Sequence, residues 1–226
     1  MNYNYVLKGE FIERPNRFIA KVNLDGKTET VHVKNTGRCK ELLLPNTTVY
    51  LEKSDNSKRK TLYDLIAVDK NGLLINMDSQ VPNACAEEWL KSGNLFSKNA
   101  MIRREVNFNK SRFDFYIEDG DRKIFLEVKG CTLENNGIAS FPDAPTERGV
   151  KHINELIDAI DKGFETYILF VIQMKGVTVF KPNDKTHKAF GDALRLANNK
   201  GVKILAYDCL VTPDSIKIDN EVKVEL

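Results

Sequence analysis

The chain has little of what usually assigns a protein quickly. Its 226 residues contain four cysteines, Cys39, Cys85, Cys131 and Cys209, widely scattered, with no C-x-x-C pair and no histidine at ligand spacing. That scarcity argues against a disulfide scaffold and a zinc site, and predicts reduced thiols in a cytoplasmic protein. No apolar run approaches the roughly 20 residues of a membrane-spanning helix. The opening MNYNYVLKGE lacks the apolar core and small-residue cleavage site of a signal peptide. No membrane partner is therefore expected. Net charge is small as well, since 34 basic and 32 acidic residues leave +2. Any nucleic-acid surface must then be a local patch. There is no internal repeat, no low-complexity segment and no signal of oligomeric state. What remains, 42% hydrophobic and 29% charged residues, describes a soluble globular chain long enough for one large or two ordinary domains.

Residues 1–80 alternate with the period of strands. Short runs at Val6–Ile12, Phe18–Leu24, Thr28–Val33, Thr48–Glu52, Leu62–Val68 and Leu73–Asn76 are separated by Pro15-Asn16, Asp25-Gly26, Pro45-Asn46 and Asn71-Gly72. This spacing of strands and turn residues predicts a small barrel, and a five-stranded OB-like barrel fits best. The barrel holds 13 basic and 10 acidic residues, against 21 and 22 in the rest. Lys58, Arg59 and Lys60 concentrate the excess in one loop. Together with Arg14, Arg17, Lys34, Arg38 and Lys40 they form a candidate phosphate-binding surface for DNA. Asn35-Thr36-Gly37-Arg38 reads either as a plain turn or as a backbone cradle for phosphate.

Near residue 80 the period turns helical, which sets a boundary between domains 1–80 and 81–226. Pro82 to Lys91 reads as a helix closed by Gly93, and Met101 to Phe108 as a strand. A second helix ends near Asp161 and carries the apolar stripe Val150, Ile153, Leu156, Ile157 and Ile160. Arg148, Lys151, His152 and Glu155 fall on its far side, where Arg148 and Lys151 are candidate contacts to a DNA backbone. Thr166–Gln173, a helix from Asp184 to Asn199 and the strand Val202–Tyr207 read as a βαβ crossover, and the tail as an edge strand.

The chemistry concentrates in Ser111–Gly130, SRFDFYIEDGDRKIFLEVKG, which reads as a hairpin about Asp119-Gly120. Alternation puts Arg112, Asp114 and Tyr116 on one face with Phe125, Glu127 and Lys129, and Phe113, Phe115 and Ile117 on the other. With Asp119-Gly120 as the loop, Asp114 lies opposite Phe125 and diagonal to Glu127, within reach of one shared cation. Two carboxylates suit Mg²⁺ or Mn²⁺, and the Lys129 ammonium suits an attacking water or a phosphate.

Asp114 with Glu127-Val128-Lys129 resembles the aspartate and E-x-K of the PD-(D/E)xK nuclease superfamily. In that superfamily a glutamate on the preceding helix commonly faces the metal. The resemblance implies Glu88 for this role, with Glu87 beside it and Glu105 on the next strand as alternatives, and the Val128 carbonyl as a further oxygen ligand. Longer motifs are more specific. Asn16-Arg17-Phe18, Asn35-Thr36-Gly37, the segment from Ser54 to Lys60, Ser111–Phe115, Glu127-Val128-Lys129 and Phe141-Pro-Asp-Ala-Pro-Thr-Glu-Arg-Gly149 with Lys151-His152 are similar to the sugar fermentation stimulation protein A family, and in the family's order. Ala144-Pro145 and Gly130-Cys131 depart from its usual residues without touching a candidate ligand. The resemblance implies an α/β two-domain fold with an N-terminal OB-like barrel, a C-terminal restriction-endonuclease-like mixed sheet flanked by helices, and DNA as partner. The family name reflects a genetic link to sugar (maltose) metabolism. The expected function is DNA binding with Mg²⁺- or Mn²⁺-dependent phosphodiester hydrolysis carried by Asp114, Glu127 and Lys129. The alternatives are a non-catalytic DNA-binding regulator and a carbohydrate- or RNA-binding barrel.

Overall fold

The computed structural model describes every residue except Thr36 and Ser57, so the phosphate-cradle reading of Asn35–Arg38 lies partly outside the described residues. Six strands come first: β1 (Val6–Asn16), β2 (Ile19–Leu24), β3 (Lys27–Val33), β4 (Thr48–Lys53), β5 (Tyr63–Lys70) and β6 (Leu73–Asn76). Alternation drives them together, as β2 shows by burying Ala20, Val22 and Leu24 while Lys21 and Asn23 point outward. Asp25-Gly26 and Asn71-Gly72 close two hairpins with positive φ at both residues, the conformation of a type I′ turn. The strands run in the order β3-β2-β1-β4-β5-β6, and a parallel pairing of β3 with β5 closes the first five into a barrel. This is the topology of an OB barrel.

The second unit begins with α1 (Val81–Lys91), followed by β7 (Met101–Phe108), β8 (Ser111–Asp119) and β9 (Arg122–Cys131). After them come β10 (Leu133–Asn135), β11 (Ile138–Phe141), α2 (Glu147–Ile160), β12 (Glu165–Ile172), β13 (Val179–Pro182), α3 (Asp184–Lys200), β14 (Lys203–Thr212), β15 (Ser215–Glu221) and β16 (Lys223–Val224). The main sheet has the order β15-β14-β12-β9-β8-β7, with β9, β12 and β14 parallel at its centre. Central parallel strands are covered on both faces, and β12 is accordingly apolar on both. Ile168, Phe170 and Ile172 pack in the cluster that includes Leu156 of α2 and Leu194 of α3. Tyr167, Leu169 and Val171 pack in the cluster that includes Trp89 of α1. The tail forms the edge strand β15.

A second, four-stranded sheet, β10-β11-β13-β16, has no counterpart in the sequence reading. Its strands are two to four residues long, too short for a periodic signal, and two of its three pairings join distant segments. The barrel is tied to the main sheet by Gln173, just past β12. Its Nε2 donates to Asn76 Oδ1 and the Asp78 carbonyl, each at 3.0 Å. Among the described residues no helix is long and apolar enough to cross a membrane.

Candidate active site

The hairpin of β8 and β9 turns at Gly120-Asp121, one residue later than the sequence reading placed it, because Asp119 pairs with Arg122. Gly120 has φ +63 at the first central position, the place glycine takes in a type II′ turn. The later turn shifts the register to Phe115 opposite Leu126 and Tyr116 opposite Phe125. Continued by one residue, it sets Asp114 directly opposite Glu127, not diagonal to it as expected. The ladder stops there because Asp114 enters it with its side chain. Oδ2 accepts from the Val128 backbone N–H at 2.8 Å, and Oδ1 accepts from Asn83 Nδ2 of α1 at 2.8 Å. The break also turns Phe113 over. Expected beside Phe115 and Ile117, it packs instead with Phe108 and Phe125. An extended residue directs its N–H and C=O to the same strand edge, so the Val128 carbonyl faces the gap that Asp114 occupies.

Glu127 is 3% exposed, and its Oε1 receives two donors, Lys129 Nζ and His152 Nδ1. His152 comes from α2, whose start is fixed by Thr146, the N-cap whose Oγ1 accepts from Gly149 N at 3.1 Å. Arg148 Nε lies 3.3 Å from His152 Nε2. A guanidinium can only donate, so Nε2 accepts and the ring proton sits on Nδ1, donated to Glu127. Burial opposes ionisation of Glu127, but Lys129 and His152 outweigh it and hold the carboxyl below the usual range. Asp114 behaves in the opposite way. Burial first, and the Glu127 charge second, push its pKa up despite the bonds from Val128 and Asn83. The second Glu127 oxygen, Oε2, is buried and has no hydrogen-bond partner. Two neighbouring carboxylates, one destabilised as an anion and the other with an unused buried oxygen, carry more negative charge than Lys129 alone offsets.

Two family models match the chain. "SfsA N-terminal OB domain" covers residues 12–77, and "Sugar fermentation stimulation protein RE domain" covers residues 80–215. The chain belongs to the sugar fermentation stimulation protein (SfsA) family. It is 59% identical over 226 residues to a sugar fermentation stimulation protein homolog of Clostridium beijerinckii, with all of each chain covered. A homolog of Ruminiclostridium cellulolyticum is 58% identical, again over the full length of both. A solved structure, described as that of Pyrococcus furiosus SfsA in complex with Ca²⁺, matches with a TM-score of 0.91 at 28% identity, covering 100% of this chain and 98% of that one.

Within this SfsA-family fold, not every expected residue reaches the site. Glu88 does not: its carboxylate binds the Met1 ammonium at 2.6 Å, and its side chain is 59% exposed. The reason is helical phase. Asn83, which touches Asp114, shares a helix face with Glu87, one turn on, whereas Glu88 is turned by a further 100°. Glu87 itself is bound by Lys91 and Arg104, and Glu105 by Arg112. Among the described residues no three His, Cys, Asp or Glu side chains gather as a metal cage. The four thiols are no substitute, being buried, with Cys39, Cys85 and Cys131 pushed up to about 12 by burial.

The basic residues divide in two. Arg17, Arg38, Lys58 and Lys60 are exposed on the barrel, and Arg148 and Lys151 on α2. Arg17 covers the half-exposed Phe18 ring at 4.7 Å and, with Arg14, Arg38 and Lys40, lines a cavity of about 320 Å³. Arg14 makes four hydrogen bonds to the carbonyls of Arg17, Asn35, Gly37 and Arg38. Arg59 departs from its expected role. It grips the buried Asp64 with both terminal nitrogens, so its charge is committed inside the barrel. His152 and Asn83 were not foreseen as site residues. The only signal for His152 was its place in the Thr-Glu-Arg-Gly…Lys-His motif.

Proposed function

We propose that the protein is a DNA-binding, Mg²⁺- or Mn²⁺-dependent phosphodiesterase, with Asp114, Glu127 and the Val128 carbonyl as the oxygen ligands. The observation that carries the reading is the buried, unpartnered Oε2 of Glu127, together with an Asp114 that burial and the Glu127 charge destabilise as an anion. Two carboxylates, one carbonyl and several waters make an ordinary Mg²⁺ environment. The similar Pyrococcus furiosus protein is described in complex with Ca²⁺, a cation with the same preference for oxygen. Bound there, the metal would supply Lewis acidity toward a phosphate oxygen and a more acidic water. The chain's own residues do the rest. Lys129, held by Glu127, orients the attacking water and offers its ammonium to the charge that develops on phosphorus. His152 fixes the Glu127 carboxylate through Nδ1, and Arg148 holds His152 in the donating tautomer. Exposed Arg17, Arg38, Lys58 and Lys60 on the barrel and Lys151 on α2 contact the DNA backbone.

A second reading, a DNA-binding regulator that does not cut, is favoured by one observation: α1 brings the neutral Asn83 to Asp114 in place of a third carboxylate. Nicking of single-stranded, duplex and branched DNA in Mg²⁺ or Mn²⁺ separates the two. Wild type should cut, Lys129→Ala should be slower by about 10²–10³-fold, and Glu127→Gln should be inert. Equal activity in all three would indicate a contaminant and remove the catalytic claim, and an inert wild type would leave the regulator.

A further inference from the structure

A solvent-open cavity of about 110 Å³ lies where the barrel meets the main sheet, between Asn35 and Ser79 on one side and Thr132, Ser140, Asp143 and Gln173 on the other. Gly130 forms part of its wall, two residues (about 7 Å) along β9 from Val128. Any Cβ at Gly130 would stand 2.6 Å from Gln173 Oε1 and Pro82 Cγ, so the bare strand backbone is what separates the cavity from its neighbours. Asn35 borders the cavity, while residues 37–40 line the basic cavity on the barrel, so the two lie at opposite ends of one short segment.

The polar groups facing the cavity are mostly acceptors. Gln173 has committed its amide nitrogen to Asn76 and Asp78, leaving Oε1. Ser79 Oγ has given its proton to the Lys34 carbonyl. Asp143 has no ion pair or hydrogen bond to the other described residues. Asn35 gives one amide proton to the Met77 carbonyl and its Oδ1 accepts from Gly37 N, so its second amide proton and the Thr132 and Ser140 hydroxyls are the groups able to donate, and the Phe141 ring adds a half-buried π surface. An anionic, acceptor-rich recess repels a phosphate and holds too few carboxylates for a metal. It suits a flat group with an amino donor at one end and acceptors beside it. Size narrows the choice, since the cavity is smaller than the roughly 150 Å³ that encloses benzene, so it admits at most one six-membered ring, inserted in part through its open mouth, and no purine.

We propose that this cavity receives a cytosine base from the strand whose phosphate lies at Asp114 and Glu127, with Asp143 accepting from the exocyclic amino group and the Thr132 and Ser140 hydroxyls donating to the ring acceptors. Thymine would turn its O4 toward the Asp143 carboxylate and be rejected. The inference rests on the DNA-processing reading above, which supplies the strand. It deepens that reading by giving the site a base preference.

The test is calorimetry on the full chain in EDTA with dCMP and dTMP, so that no metal–phosphate contact contributes. Wild type should bind dCMP about tenfold more tightly than dTMP, the discrimination of one good base contact. Asp143→Asn, whose amide can donate to O4, should erase or invert the preference, and Thr132→Val should weaken dCMP binding. A thermal melt of each variant without nucleotide verifies folding. Equal affinities in wild type, no binding of either nucleotide, or a preference that survives Asp143→Asn overturns the proposal. Binding of maltose that is lost in Asp143→Asn would overturn it as well and make the cavity a sugar site. An inert nuclease assay with the dCMP preference intact defeats only the cleavage reading. Cleavage without the preference defeats only this one.

Discussion

Two buried carboxylate sites, one in each domain, are built from similar residues and balanced in opposite ways. In the barrel, Asp64 is met by Arg59, Lys34 and His32, at 2.5, 3.2 and 3.0 Å. Burial raises its pKa, but these partners outweigh it and bring the carboxyl down to about 2. In the main sheet, Lys129 pairs with Glu127, no ion pair among the described residues meets Asp114, and Asp114 is pushed up by burial and by the Glu127 charge. The barrel site is complete as it stands. The sheet site retains an unpaired oxygen and excess negative charge, which suits a group that arrives from solution. In the proposed reading, incompleteness at paired carboxylates, and not density of charge, marks the functional site.

The largest effect should fall on the complete site. Asp64→Ala leaves Arg59 and Lys34 short of a buried partner and should cost about 3 kcal/mol of stability, read by urea denaturation. Asp114→Asn in metal-free protein removes a repulsion along with a hydrogen bond, and should change stability by less than about 1 kcal/mol. Equal losses would erase the distinction.

The next effect is one of pH. Because the folded pKa of Asp64 is depressed, its contribution of about 2 kcal/mol is present above the ordinary carboxylate pKa near 4 and lost as pH falls through about 2. Asp114 has the opposite sign. Its folded pKa is raised, so protonation stabilises the metal-free fold as pH falls toward the ordinary value, and that gain disappears as pH rises through the folded pKa. Thermal melts in EDTA from pH 2 to 6 should show Asp64→Asn flattening the acid limb and Asp114→Asn removing the opposing trend.

The smallest effect separates neighbours in one loop. Lys58→Ala with Lys60→Ala should weaken DNA binding and reduce the salt slope by about one to two units, with stability unchanged. Arg59→Ala should lower stability instead, because its guanidinium holds Asp64. A uniform response across the three positions would mean the loop is merely solvated.

How much of this was legible beforehand depended on whether a signal was local. The barrel strands and the E-x-K strand follow from alternation and turn residues within a few positions of each other. The Asp114–Glu127 face was also readable, because shifting the turn by one residue moves the cross-strand pairing by two and preserves the face. Glu88 was misplaced because adjacent helix residues differ by 100°, and only docking on the sheet decides which points inward. His152 and Glu155 were missed because an apolar stripe cannot register buried polar residues. The buried arc of α2 runs through Gly149, His152, Ile153, Glu155, Leu156 and Ala159, rotated from the expected stripe toward the site. The clasp of Arg59 on Asp64 was invisible for another reason, since a basic loop reads the same whether its charge faces solvent or a buried acid.

The most direct measurement is a Mn²⁺ titration by calorimetry on wild type, Asp114→Ala and Asp64→Asn. The account predicts a Mn²⁺ site in wild type, its loss in Asp114→Ala and its retention in Asp64→Asn. Unchanged Mn²⁺ affinity in Asp114→Ala, or an equal loss in Asp64→Asn, would contradict it.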